Sequence, residues 1–163
     1  MKPEFIIIHH SATDRDQTSF EAVNEFHRQK WNFKSKLGYY IGYQYFITAD
    51  GKLYQGRADD ETGAHTIGYN INSIGICLAG NFMVEQPTPA QINSLESLVA
   101  SKREQWNIPV KNILGHREVG QTLCPGDNLM SWVKEYREKF LQVEKPKTKE
   151  EIKVEIIKLL EQL

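Results

Sequence analysis

Residues 5–10 read Phe-Ile-Ile-Ile-His-His, and this short stretch decides the fold. Phe5 to Ile8 is uniformly apolar and β-branched, the pattern of a strand buried on both faces rather than one with a wet side. Residues 73–80, SIGICLAG, have the same character and predict a second central strand. A third, Tyr43 to Thr48, runs into Asp50-Gly51, a tight-turn pair, and Lys52 to Gln55 reads as the returning strand. Val110 to Leu114 predicts one more short strand.

Helical patterns separate these runs. Phe20, Val23, His27 and Trp31 share one face of a helix predicted over Thr18 to Trp31, with Thr18 and Glu21 as a capping box. Pro89 to Trp106 carries Ile92, Leu95, Val99, Lys102 and Trp106 along one stripe, with proline at its start. Asn128 to Leu141 is again helical in pattern. Apolar strands interleaved with helices imply an α/β fold: a central β-sheet flanked by helices on both faces. The Asp50-Gly51 hairpin makes that sheet mixed.

The last segment differs. Glu144 to Lys149 is polar and reads as a linker, followed by a C-terminal amphipathic helix over 150–163, capped by Thr148 and Glu151, with Ile152, Ile156, Leu159, Leu160 and Leu163 at helical spacing. Packing on the domain is the plainer expectation for it; self-association or contact with a partner is the alternative. The domain itself is expected to span 1–143.

The chain has 163 residues, 40% apolar and 25% charged, with a net charge of −1, so nothing global draws it to nucleic acid or anionic membrane. The Phe5–Ile8 run is too short for a signal-peptide core and no stretch approaches a membrane span, so synthesis in a cytosol without membrane insertion is expected.

The residues able to ligate a soft metal are His9, His10, His27, His65, His116, Cys77 and Cys124. Zinc takes imidazole nitrogen and thiolate sulfur, and a catalytic site keeps three protein ligands and one open position. Neighbouring strand residues point to opposite faces, so only one of His9 and His10 is expected to face a given site. The loop 115–126, GHREVGQTLCPG, has the small and turn residues needed to fold His116 and Cys124 back onto one point. Cys77, within its apolar run, reads as a buried small hydrophobe, His27 as a satisfied core histidine, and Trp31, Trp106 and Trp132 as core residues rather than sugar platforms. Glu118 is either a general base or a carboxylate that orients a ligand.

Five motifs occur in order: IIIHHSAT, IGYQYFITADG, GAHTIGYNINSIGICLAG, TPAQINSLESLV and GHREVGQTLCPG. Over roughly residues 4–141 the chain resembles the zinc-dependent N-acetylmuramoyl-L-alanine amidases, the family shared by amidase-type phage lysozymes and animal peptidoglycan-recognition proteins. The resemblance implies a mixed sheet with zinc at the floor of an open groove, held by His9, His116 and Cys124. It implies Tyr43 as a catalytic residue beside the metal and peptidoglycan as the partner. It implies hydrolysis between N-acetylmuramic acid and L-alanine, in the setting of a phage endolysin acting on the bacterial wall from the host periplasm. The phage enzymes usually carry lysine two residues before the cysteine; Thr122 stands here, as in the animal enzymes, and is the second candidate catalytic residue. His65, in the Gly- and Asn-rich loop, is the candidate substrate-binding residue. The alternatives are a non-catalytic peptidoglycan-binding module, which typically lacks the cysteine, a cytosolic muropeptide-recycling amidase, which usually uses aspartate as third ligand, and a regulator that binds an RNA polymerase.

Overall fold

A computed structural model describes residues 2–144 and, beyond them, Lys153, Ile157, Lys158 and Leu160. The elements in chain order are β1 (Phe5–His10), α1 (Phe20–Trp31), β2 (Tyr45–Ile47), β3 (Leu53–Gln55), β4 (Ser73–Leu78), α2 (Pro89–Trp106), β5 (Ile113–Gly115) and α3 (Asp127–Glu144), with 3-10 turns at Val110–Asn112 and His116–Glu118. The strands form one sheet in the order β3-β2-β4-β1-β5. Only β2 and β3 pair antiparallel; β2–β4, β4–β1 and β1–β5 are parallel, which makes the sheet mixed as expected.

Side-chain alternation gives the sheet two apolar faces. Ile6, Ile8, Tyr45, Ile47, Ile74, Ile76 and Leu78 face α2 and α3, meeting Leu95, Val99, Leu129 and Val133. Phe46 and Cys77 face the other way, against Phe20 and Val23 of α1. Each fully buried isoleucine of β1 or β4 contributes roughly 2 kcal/mol from its apolar surface. The sheet is thus covered on both sides, the condition under which parallel strands are stable.

Several boundaries move, each for a local reason. The cap of α1 is Ser19, whose hydroxyl accepts from the Ala22 N–H, and not Thr18. The Thr18 hydroxyl instead donates to the Asp14 carbonyl. Tyr43 lies ahead of β2 because the hairpin ladder ends at Gln44, whose carbonyl accepts from both Gly56 and Arg57 N–H. The strand expected from Val110 starts at Ile113: Pro109 leads into a 3-10 turn in which Asn112 N–H bonds to the Pro109 carbonyl, and lateral pairing to Ile6 begins only afterwards. The Asp50-Gly51 turn is present, with Gly51 at φ +80°. α2 has the expected span, closed by a capping box of Thr88 and Gln91.

Helix α3 runs through Glu144, one residue into the segment read as a linker. Residues 145–150, and with them the Thr148 cap, lie outside the described residues; of the expected terminal helix, Lys153, Ile157, Lys158 and Leu160 are helical and exposed. Among the described residues no helix is long and apolar enough to cross a membrane.

On the α1 face, His27 is a buried histidine with a hydrogen-bond partner, as expected: its Nδ1 accepts from the Gly42 N–H at 2.9 Å. Burial first, then Lys30 and Arg57, lower its pKa to about 4. Protonation would also set a second donor against the Gly42 N–H. The unfolded chain therefore binds a proton here between pH 6.5 and about 4 that the folded chain does not, so stability falls as pH drops through that window, by about 3 kcal/mol at its foot. Urea unfolding at about pH 7 and about pH 4.5 checks this: His27→Gln is expected to lose clearly less stability between the two than the parent, and an equal loss would contradict the assignment.

Candidate metal centre

The register of the sheet builds the site. Ile8 of β1 lies opposite Gly115 of β5, so His9 and His116 follow side by side at the C-terminal ends of two parallel neighbours, with ring centroids 4.5 Å apart. Alternation puts His9 on the α1 face, in register with Cys77, while His10 turns to the opposite face and accepts from the Phe82 N–H through Nδ1. That separates the two histidines as expected and leaves His10 packed behind the site.

The loop after β5 then returns Cys124. Arg117 N–H donates to the Cys124 carbonyl at 2.8 Å, and its guanidinium donates to the Leu123 carbonyl and to Asp127. The Thr122 hydroxyl accepts from the Cys124 N–H at 3.1 Å, and the His10 N–H points at the Cys124 sulfur at 3.4 Å. The donor atoms of His9, His116 and Cys124 all lie within 4.8 Å of one another. Nδ1 of His9 and Sγ of Cys124 are 3.6 Å apart. Tetrahedral zinc with ordinary Zn–N and Zn–S bonds requires about 3.6 Å between those atoms. Both cysteines are free thiols.

The electrostatics point the same way. Burial, then the imidazoles of His65, His116 and His10, hold the His9 pKa well below 6.5, and burial also lowers that of His116. Both rings are thereby kept neutral with a lone pair to give. Burial pushes the Cys124 thiol up to about 12, against the pull of the His10 N–H and Arg117. Two neutral imidazoles and a thiol converging without a carboxylate among them fit a soft divalent cation, whose charge favours the thiolate.

Around the donors lies a supporting layer. With Nδ1 of His9 toward Cys124, its Nε2–H faces Nδ1 of His65 at 3.1 Å and the Thr66 hydroxyl at 3.3 Å. His65 can come so close because β4 has Gly75 there; a Cβ at Gly75 would lie 2.6 Å from its ring. His65 also borders the groove, and burial, then His116 and Arg57, lower its pKa to about 3. Glu118 is no free base: it accepts from the Gly115 N–H at 2.8 Å and forms a two-pronged pair with Arg137 of α3 at 3.0 and 2.8 Å. Tyr43 packs on His9 with ring centroids 5.1 Å apart, and burial raises its pKa well above 10, so it is a neutral phenol. Its hydroxyl lies against Cys77, so the buried thiol of Cys77 touches the site's wall as well as the core.

Of the three donors His116 borders a groove of about 840 Å³, together with Tyr43, His65, Ile67, Thr122 and Trp31. Trp31 is a correction: it is 45% exposed and forms groove wall instead of core. Trp132 is buried as expected, and half-buried Trp106 donates its indole N–H to Asp59. Sequence reasoning did not find Thr66, Arg117 or Arg137; only the adjacency of Thr66 to His65 and of Arg117 to His116 signalled any of them.

The model of the family described as N-acetylmuramoyl-L-alanine amidase matches residues 1–127. The chain belongs to the N-acetylmuramoyl-L-alanine amidase family. This amidase-family chain is 33% identical over 132 residues to peptidoglycan-recognition protein SC2 of Drosophila melanogaster, covering 80% of the chain and 72% of that protein. It is 35% identical over 97 residues to the endolysin of Klebsiella phage KP32, covering 56% and 63%. Its fold matches the solved N-acetylmuramoyl-L-alanine amidase LysC from Clostridium intestinale URNW with a TM-score of 0.73 at 32% identity, covering 85% of each chain.

Glu118→Ala frees the Gly115 N–H and takes the carboxylate from Arg137, which keeps its bond to the Ile113 carbonyl, loosening the turn that carries His116. Its divalent-metal affinity, read by chelator competition, is expected to fall by about ten- to a hundredfold with the fold retained. An unchanged affinity would reduce Glu118 to surface packing.

Proposed function

We propose that this protein is a zinc-dependent N-acetylmuramoyl-L-alanine amidase of the endolysin type, cleaving bacterial wall peptidoglycan between N-acetylmuramic acid and the first L-alanine. The observation that carries this reading is the convergence of His9, His116 and Cys124 at one point, with His116 bordering a groove, in a chain of the amidase family. The likeness to a phage endolysin supports action on the host wall. The presence of the cysteine favours an enzyme over a module that only binds.

Zinc, when bound by His9, His116 and Cys124, supplies a Lewis acid for the lactoyl carbonyl and lowers the pKa of water toward neutrality. Water adds to that carbonyl carbon and the C–N bond breaks, giving a lactyl carboxylate on the sugar and a free amine on the stem peptide. His9 keeps one orientation because Nε2–H is held by His65 and Thr66. Tyr43, neutral and against His9, donates a hydrogen bond to the oxyanion as charge develops on it. Thr122 holds the Cys124 turn through its accepting oxygen and has its O–H left to face the groove. His65 borders the space where the substrate lies and so acts both on His9 and on the substrate.

Cys124→Ser is expected to keep the fold, since the core strands do not use that side chain, and to lose both zinc and release of stem peptide from purified peptidoglycan, by about a hundredfold or more. Mass spectrometry of the digest reads the outcome; normal release from a verified metal-free variant would refute the ligand set. Tyr43→Phe is expected to bind zinc normally and turn over about a hundredfold more slowly. Full activity there would leave Tyr43 a packing residue only.

A further inference from the structure

Trp31, the residue of α1 that borders the groove, belongs to a continuous run of rings leading away from the metal donors. Tyr43 packs on His9 at 5.1 Å, His27 on Tyr43 at 5.6 Å, and Trp31 on His27 at 4.5 Å. Phe26 continues the run at 5.8 Å from His27, and the Lys30 ammonium sits over both outer rings, 5.0 Å from Trp31 and 5.5 Å from Phe26. The inner members are buried or half-buried, but Trp31 is 45% and Phe26 58% exposed. Trp31 also ends its helix: Asn32 follows in the left-handed conformation, so no further turn of α1 covers the indole. At the edge of the groove Trp31 keeps part of its indole open to a flat apolar partner.

We propose that this wall is a saccharide subsite, in which Trp31 stacks on a sugar ring of the glycan strand beyond the muramic acid being cut. The inference rests on the amidase reading and adds the substrate's second anchor. A stem peptide needs matched donors and acceptors along its backbone, and the α1 wall offers ring faces. A pyranose presents a flat face of C–H bonds of the size of an indole, which gains from the same dispersion and apolar burial that pair aromatic side chains. The groove's other lining includes Thr66, Asn70 and Thr122, polar groups that suit the peptide. His27 beneath Trp31 is fixed by the Gly42 N–H, so the platform is seated before substrate arrives.

The test compares two substrates and one ligand on the full chain with its metal. Trp31→Ala is expected to lower kcat/KM about tenfold on peptidoglycan fragments of four or more sugars and to leave cleavage of a single muramoyl-peptide within about twofold. Trp31→Tyr, which keeps a ring, is expected to recover most of the loss. If the alanine variant does not fold, Trp31→Leu keeps packing over His27 and removes the ring face. Separately, the peptide-free tetramer of N-acetylglucosamine is expected to give a saturable change in indole fluorescence, a signal from Trp31 because Trp106 and Trp132 are bound into the fold. An indole signal that tetramer leaves unmoved, or a loss in Trp31→Ala that is equal on short and long substrates, overturns the subsite. A wild-type protein that binds the tetramer yet cuts neither substrate supports the subsite and refutes the amidase reading instead.

Discussion

The structure depends on a pairing register. Because Ile8 of β1 faces Gly115 of β5, the two strands deliver His9 and His116 to the same point as they leave the sheet. The chain then has to bring back a third donor from a loop, which is less constrained than a strand. Arg117 does this with its backbone N–H and its guanidinium together, tying the Cys124 carbonyl, the Leu123 carbonyl and Asp127 to the residue next to His116. The outcome is three electron-pair donors, buried or half-buried, with no acid among them. Such a donor set fits a soft divalent cation.

The rest of the fold serves that point. Helices α2 and α3 hold one face of the sheet, and α3 also carries Arg137, which grips Glu118 and so anchors the turn of His116 to the core. The other face is thinner. There Gly75 leaves out a side chain so that the imidazole of His65 can lie against the strand and receive the N–H of His9. Helix α1 closes this side, and its final residue, Trp31, borders the groove. One element thereby contributes both to the core, through Phe20, and to the groove wall, through Trp31.

Much of this could be read before any coordinates. The apolar runs of β1 and β4 announce strands covered on both faces, the Asp50-Gly51 turn announces the antiparallel pair, and strand alternation alone separates His9 from His10. What could not be read depends on contacts between distant residues. Trp31 shares a helix stripe with Phe20 and His27, and a stripe says which side is apolar but not where the protein's edge cuts across it. Thr18 and Ser19 are both good caps, and a one-residue choice between them turned on the competing Asp14 carbonyl. Glu118 looked equally fit for a base or a brace until Arg137, nineteen residues on, was seen to neutralise it. His65 was legible as a groove residue; its contact with His9 needed the space left by a glycine in another strand.

The most direct measurement is zinc-edge X-ray absorption on the purified protein. The account predicts one zinc per chain with a shell of two nitrogens at about 2.0–2.1 Å, one sulfur at about 2.3 Å and one further light atom from solvent. A shell without sulfur, one with two sulfurs, or a protein that takes up no zinc would contradict it.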